Sequence, residues 1–352
     1  MPPVPGWSSD VMRPRPATFF RRAALLLPAI LLLGSCISDA PMDSLDPAGP
    51  IARRIDGLFW LTFGVAAVIF VIVEGGILIA AFVFRDRKSR KEAKEPKQTH
   101  GNPKLEVAWT VVPVLILVAL AVPTVKTVFD LTDASGAQMQ VDVIGHQWWF
   151  EYRYPDSGVT TANVLVIPED TEVALNLTSQ DVIHSFWVPR LAGKRYAVPG
   201  HQTVLLIQAD DPGEYWGQCG EYCGLSHSLM RARVVVMTAA DFEQWVAGQQ
   251  LPAAEPAFGS PAEQGREVFL SAGCTQCHII AGVNDQTVQA APNLTHFASR
   301  GVFAGATLDR TPESIARWLA NPPEIKPGSF MPNLNLSQQQ IDALVAYLET
   351  LE

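Results

Sequence analysis

The chain has 352 residues, a length that suits two or three structural units. Apolar residues make up 48% and charged residues 17%, a balance that excludes a disordered chain. The net charge of −9 argues against a nucleic-acid partner, because phosphate binding needs a basic face.

Residues 1–35 read as an export signal. Arg21 and Arg22 precede a short apolar run, Ala23 to Leu33, which falls short of the roughly 20 residues a bilayer crossing needs. Leu33-Gly34-Ser35-Cys36 resembles the cleavage box of bacterial lipoproteins. That resemblance implies a lipidated Cys36 as the first residue of the mature chain. An uncleaved anchor with an incidental cysteine is the alternative.

Between residues 36 and 130, two apolar runs, about 58–84 and 107–128, have the length and composition of membrane-spanning helices. Pro113 and Pro123 lie inside the second, where neighbouring helices can re-satisfy the backbone. The loop from Arg85 to Lys104 carries eight Lys/Arg against three acids, which assigns it to the cytoplasmic side. Both ends of the mature chain then lie outside. The remainder is strongly acidic and suits a basic soluble partner by electrostatic steering. Glu74 falls within the first span, where a carboxyl is a functional candidate by default. Pairing with a neighbouring subunit explains it equally well, so it receives no role.

Within a domain expected over 131–248, residues 139–238 are rich in short β-type runs, among them Gln140–Ile144, Trp148–Tyr154, Val164–Ile167, Glu172–Leu177, Thr203–Ile207 and Arg231–Met237. Turn residues such as Pro155-Asp156-Ser157-Gly158 and Pro199-Gly200 punctuate them. The spacing predicts a small all-β Greek-key sandwich or barrel. A Pro/Ala-rich linker follows at 249–260, and 261–352 is predicted to be helical. Pro261–Ser271 and Ser337–Leu351 form two of its helices, the second started by a Ser337/Gln340 capping box.

Two constellations carry chemistry. The segment from Cys219 through Glu221, Cys223 and His227 to Met230 gathers two thiols, an imidazole and a thioether, ligands that favour copper over magnesium or calcium. Two thiolates four residues apart on a loop can bridge two metal ions. Each ion then needs a nitrogen and a weak axial ligand. His227 and Met230 supply one of each, His184 offers a second nitrogen, and the main-chain oxygen of Glu221 a second weak ligand. A Cys219–Cys223 disulfide, a C-x₃-C copper chaperone and a structural zinc site are the alternatives. Further on, Cys274-Thr275-Gln276-Cys277-His278 is the C-x-x-C-H signature of covalent haem c attachment, with His278 as the proximal ligand. Met331 is the only methionine downstream, hence the second axial ligand, with His296 as its rival. A redox disulfide at Cys274/Cys277 is the alternative reading of the motif.

Gly145-His146-Gln147-Trp148-Trp149, Asp181 to Phe186, Pro212-Gly213, Gly217 to Met230 and Leu105 to Pro113 together resemble subunit II of the haem–copper cytochrome c oxidases, over about residues 55–240. Residues 259–352 resemble a class I cytochrome c, supported by Gly265, Phe269, Pro292-Asn293-Leu294 and Trp318-Leu319. The fold implied is two transmembrane helices, an all-β cupredoxin-like domain and an all-α cytochrome c domain. The resemblance implies a binuclear copper centre, CuA. Cys219 and Cys223 would bridge it, His184 and Met230 would complete one copper, and His227 and the Glu221 carbonyl the other. It further implies a magnesium ion on the Glu221 side chain, shared with the catalytic subunit I. Trp148 matches the aromatic through which electrons arrive from cytochrome c, and Glu106 a carboxylate at the mouth of a proton pathway. Two positions depart from the pattern: Gly220 replaces the usual Ser or Ala, and Phe150 stands where a third aromatic, often Trp, is expected.

Taken together, the resemblance is to a caa-type oxidase subunit in the bacterial inner membrane, with both metal-bearing domains on the periplasmic side. Electrons would pass from a cytochrome c-type donor through haem c to CuA. Partner subunits would reduce oxygen to water and pump protons. A CuA-bearing nitric oxide reductase subunit and a membrane-tethered copper chaperone are the rival functions. The five cysteines are then accounted for: Cys36 to lipid, two to copper, two to haem.

Overall fold

The computed structural model describes residues 40–85, 100–284 and 290–352. The export signal, Cys36 and most of the basic loop lie outside the described residues. The chain divides into two units, Met1–Pro41 and Met42–Glu352, and every element below belongs to the second.

Helix α1 spans Pro50–Val83 and α2 spans Pro103–Asp130. Each opens with a proline in its first turn, where the missing N–H has no intrahelical partner to lose. Helix α1 starts eight residues before the expected span. At 34 residues it runs about 50 Å, longer than the ~30 Å of a hydrocarbon core. Its first turn docks on the β domain instead. Ile51 and Ala52 are buried, Arg53 pairs with Asp210, and Ala48 bonds through its main chain to Arg190 (2.8 Å) and Asp210 (3.0 Å). Beyond this turn both helices show apolar side chains with no protein cover. Their most apolar stretches have mean hydropathies of 2.6 and 2.4, as lipid-facing helices require. The helix continues through Pro113 and Pro123.

The β domain is a sandwich of two five-stranded sheets. One orders β3 (Val159–Ala162), β2 (Trp149–Tyr154), β1 (Met139–His146), β5 (Val173–Ser179) and β8 (Thr203–Ile207). The other orders β4 (Val164–Pro168), β10 (Arg231–Met237), β9 (Gly213–Cys219), β6 (His184–Trp187) and β7 (Arg195–Ala197). Each sheet contains one parallel pair, β1 with β5 and β4 with β10. Alternate side chains point inward: Val141 and Val143 from β1, Val173, Leu175 and Leu177 from β5, and Val234 and Val236 from β10. The core they form also contains Cys219, Cys223 and Met230. Strands β3, β7 and β9 lie outside the β-type runs named from the residue pattern.

Helix α3 (Ala239–Gln249) closes this domain, capped by Thr238, whose hydroxyl accepts from Asp241 N at 3.2 Å. The sequence pattern predicts only strands up to residue 248. The following stretch is held: Ala253 N donates to Ala281 O at 3.2 Å, and the Ala253 side chain packs on the cytochrome-like core.

The last domain comprises α4 (Pro261–Ser271), α5 (Pro312–Ala320), α6 (Pro322–Ile325) and α7 (Gln338–Leu348), plus a minimal hairpin of β11 (Val302–Phe303) and β12 (Leu308–Asp309). Helices α4 and α7 cross so closely that a Cβ on Gly265 would lie 2.0 Å from Ala343 O, so no other residue fits there. The Ser337/Gln340 capping box forms as expected.

Candidate metal centre and haem cleft

Strand β9 ends at Cys219, and β6 beside it opens at His184, with Phe186 registered against Cys219. A loop leaves β9 at Cys219 and returns into β10 after Met230. Cys219 N donates to Met230 O at 2.8 Å, pinching its base. A short 3₁₀ turn over His227–Leu229 aims His227 back at the thiols. Cys219 Sγ lies 3.8 Å from Cys223 Sγ and 3.9 Å from His184 Nδ1. Cys223 Sγ lies 3.6 Å from His227 Nδ1 and 3.9 Å from Met230 Sδ. The Glu221 carbonyl oxygen lies 3.2 Å from Cys219 Sγ. Both cysteines are free thiols. All six candidate donors therefore surround one small volume, with His184, Cys219, Cys223 and Met230 buried. Two soft sulfurs, two imidazoles and two weak ligands fit a binuclear copper centre.

Electrostatics favour metal-ready ligands. The hydrogen bond from Cys223 pushes the Cys219 thiol down to about 3, against burial and with further help from His184. The proton shared by the two sulfurs stays on Cys223, which is raised. His184 Nε2 meets Asp181 Oδ1 at 2.7 Å, which leaves Nδ1 for a metal. Burial opposes charge on His184, but the bonds to Asp181 and Cys219 outweigh it and raise its pKa. Asp181 also accepts from Gln147 N at 2.7 Å. This carboxylate is the orienting partner that ligating histidines generally need. In the sequence it stands three residues before His184, inside the Asp181–Phe186 segment that carries the resemblance.

In the last domain, Cys274 to Gln276 form a tight turn that places His278 above a cleft of about 940 Å³, mouth included. His278 Nδ1 bonds Pro292 O at 2.8 Å, leaving Nε2 free, and burial keeps the ring neutral. Met331 lines the same cleft, its sulfur accepting from Trp318 Nε1 at 3.2 Å. His296 is not brought to the cleft. Its two nitrogens bond the main-chain oxygens of Glu352 (2.5 Å) and Leu251 (3.0 Å). Arg300 lines the cleft and is buried, with Nη2 on Asn293 O at 2.6 Å and Nε without a partner. Burial lowers its pKa to about 10. A buried guanidinium with its Nε unpartnered suits a haem propionate, and the residue pattern alone does not single it out.

Trp148 joins the two sites. It is 6% exposed and lines the haem cleft. Its indole Nε1 donates to Cys223 O at 3.0 Å, while its ring lies parallel to Phe330, centroids 6.2 Å apart. Phe150 is buried behind the metal loop, edge-on to Phe186. Glu106 stands apart, in the first turn of α2, accepting from Asn102 N at 3.1 Å.

Residues 40–127 match the family of the cytochrome c oxidase subunit II transmembrane domain, residues 157–238 that of its periplasmic domain, and residues 262–352 the cytochrome c family. Cytochrome c oxidase subunit 2 of Alkalihalophilus pseudofirmus is 35% identical over 329 residues, covering 92% of this chain and 94% of that protein. The Bacillus subtilis subunit 2 is 33% identical over 354 residues, covering 94% and 98%. Quinol oxidase subunit 2 of Bacillus spizizenii is 34% identical but covers only 63% of this chain and 70% of that one. A crystal structure of the periplasmic domain of subunit II of cytochrome oxidase from Bradyrhizobium japonicum aligns at 28% identity and a TM-score of 0.32, covering 32% of this chain and 94% of that one. Matched to cytochrome c oxidase subunits along nearly their whole length, this chain belongs to the cytochrome c oxidase subunit 2 family, as a membrane-anchored oxidoreductase subunit with a CuA-type β domain and a cytochrome c domain.

Proposed function

We propose that this chain is the electron-input subunit of a proton-pumping haem–copper terminal oxidase in a bacterial inner membrane. Its cytochrome c domain takes electrons from a c-type donor, its copper domain passes them to subunit I, and oxygen is reduced there. One observation carries this reading: Trp148 belongs to the copper domain, lines the haem cleft and bonds Cys223 O.

In this reading His184, Cys219, Cys223, His227, Met230 and the Glu221 carbonyl hold CuA. Cys274, Cys277, His278 and Met331 hold haem c. When bound, these groups supply one-electron carriers whose potentials are set by weak axial ligands and hydrogen bonds. The chain itself supplies rigidity. Ligands buried in the sandwich core cannot drift, so the geometry changes little on electron transfer. Asp181 fixes the tautomer of His184, Pro292 fixes that of His278, and Arg300 is poised to balance a propionate. Glu221, half-buried beside the exposed Tyr222 and Leu225, is the residue we assign to a magnesium ion shared with subunit I. Glu106 is assigned to the mouth of a proton pathway, and Cys36 to lipid attachment.

The test is metal content with electron paramagnetic resonance on the chain matured with haem c and loaded with copper. About two coppers per iron, with one unpaired electron shared by two copper nuclei, is the expected result. A single localised copper, or copper lost on dialysis, overturns it. Oxygen against nitric oxide consumption by the purified complex then identifies the terminal acceptor.

A further inference from the structure

The haem-binding domain grips the metal loop at several points. Ser226 Oγ donates to Pro327 O at 2.6 Å, Thr307 Oγ1 to Leu229 O at 2.7 Å, and Arg231 N to Gly305 O at 2.8 Å. Gly305 N donates to Asn163 Oδ1 at 3.1 Å. Val302 and Ala306 share a small buried cluster with Val164 and Val166 of β4. At the centre lies Lys326. It is 4% exposed, and its Nζ donates to Trp148 O at 2.5 Å and to Ala304 O at 2.8 Å. Gly305 makes room for it with φ of +74°, where a Cβ would lie 2.2 Å from Lys326 Nζ and 2.5 Å from Trp148 O. Five residues on, Met331 lines the same cleft as Trp148, and its neighbour Phe330 lies parallel to the Trp148 ring.

We propose that Lys326 is a positioning residue for electron transfer, which clamps the carbonyls of Trp148 and Ala304 and so locks the cytochrome c domain onto the copper domain as one rigid body. The inference rests on the electron route proposed above. Of its two bonds, the one to Ala304 O lies within the cytochrome c domain, and only the one to Trp148 O crosses to the copper domain. The crossing bond contributes to the relative position of the two domains. Burial lowers its pKa to about 7, so its desolvation is offset only where both carbonyls are within reach. The stretch after α3 then acts as a fixed connection, and Trp148 is covered against soluble donors.

The test compares the wild-type oxidase complex, loaded with haem and copper, with Lys326→Met and Gly305→Ala. The first removes the donor, and the second drives a methyl into the same junction. Two readouts are taken: the rate of electron exchange between haem c and copper after photoreduction, and hydrogen exchange of residues 226–231 and 302–307. Both variants are expected to slow internal exchange about tenfold, the effect of losing one strong hydrogen bond from a docking equilibrium. Both should deprotect the junction while haem and copper spectra stay unchanged. Unaltered rate and protection in Lys326→Met overturn the proposal. If that variant fails to fold, Gly305→Ala decides by the same criteria. Should the loaded wild type exchange no electron between its centres, the proposed route fails, and hydrogen exchange still decides the lock.

Discussion

The indole Nε1 of Trp148 donates to the main-chain oxygen of Cys223 at 3.0 Å, across 75 residues of sequence. One face of the ring thus belongs to the haem cleft and one edge to the metal loop. Trp148→Phe keeps an aromatic ring, though a smaller one, and removes the bond, leaving a buried carbonyl that still accepts from Gln147 Nε2 at 2.7 Å. We expect a stability loss of about 1 kcal/mol in denaturant unfolding. Electron transfer into copper should slow in stopped-flow reduction, with the copper spectrum retained. An unchanged rate would remove Trp148 from the route.

Asp181 orients His184 through its 2.7 Å bond to Nε2. Asp181→Ala should weaken copper binding by about 10- to 100-fold, read by chelator competition. Asp181→Asn, which retains an acceptor oxygen, should fall between. Equal affinity in all three proteins would show that the loop alone fixes the imidazole.

Glu151 is fully buried in β2, its carboxylate bonded to His146 Nε2 at 2.9 Å and Arg153 Nε at 2.5 Å. Burial opposes its charge, but the bonds to His146 and Arg153 outweigh it and hold its pKa below the usual range. A depressed carboxylate pKa adds stability above the unfolded-state value, about 4.3, and that stability is lost as pH falls through the lower folded value. Glu151→Gln should lower stability at neutral pH by about 2 kcal/mol. It should also flatten the acid limb of the stability curve below about pH 4. Thermal unfolding across pH 2–7 checks both; parallel curves for the two proteins would refute the linkage.

Met331 shares the cleft with His278, whereas His296 is tied to Glu352 and Leu251. Met331→His should lower the haem reduction potential, because a thioether ligand raises it. His296→Gln should leave the haem spectrum unchanged and destabilise the domain by about 1–2 kcal/mol. Redox titration with absorption spectra separates the two ligands, and a spectral change in His296→Gln would reverse the assignment.

Spacing carried the local part of each candidate ligand set, and the resemblance added the distant His184. Cys219, Cys223, His227 and Met230 lie within one loop, and Cys274, Cys277 and His278 within one turn, so a chain that merely folds locally must bring them together. The two membrane helices and the Ser337 cap were legible for the same reason, since apolar runs and capping boxes are local patterns. Strand β7 escaped the pattern because three residues are too few for an alternation to register. Helix α1 begins before the apolar run because its first turns, which carry Arg53, Arg54 and Asp56, pack on the β domain rather than in lipid, and an apolar run marks only the lipid-crossing part.

What the sequence by itself determined was the local part of each candidate ligand set, Cys219 to Met230 and Cys274 to His278, since those residues are neighbours along the chain; His184 and Met331 reach their sites only through the fold. Only the tertiary structure decided how the two centres face each other. Lys326 and Trp148 are 178 residues apart. Their meeting goes with Val302 and Ala306 packing against β4 and with the bonds of Ser226 to Pro327 and Thr307 to Leu229 across the same junction. None of these leaves a periodic trace, because contacts between domains are specified by shape and desolvation at single positions rather than by a repeating pattern.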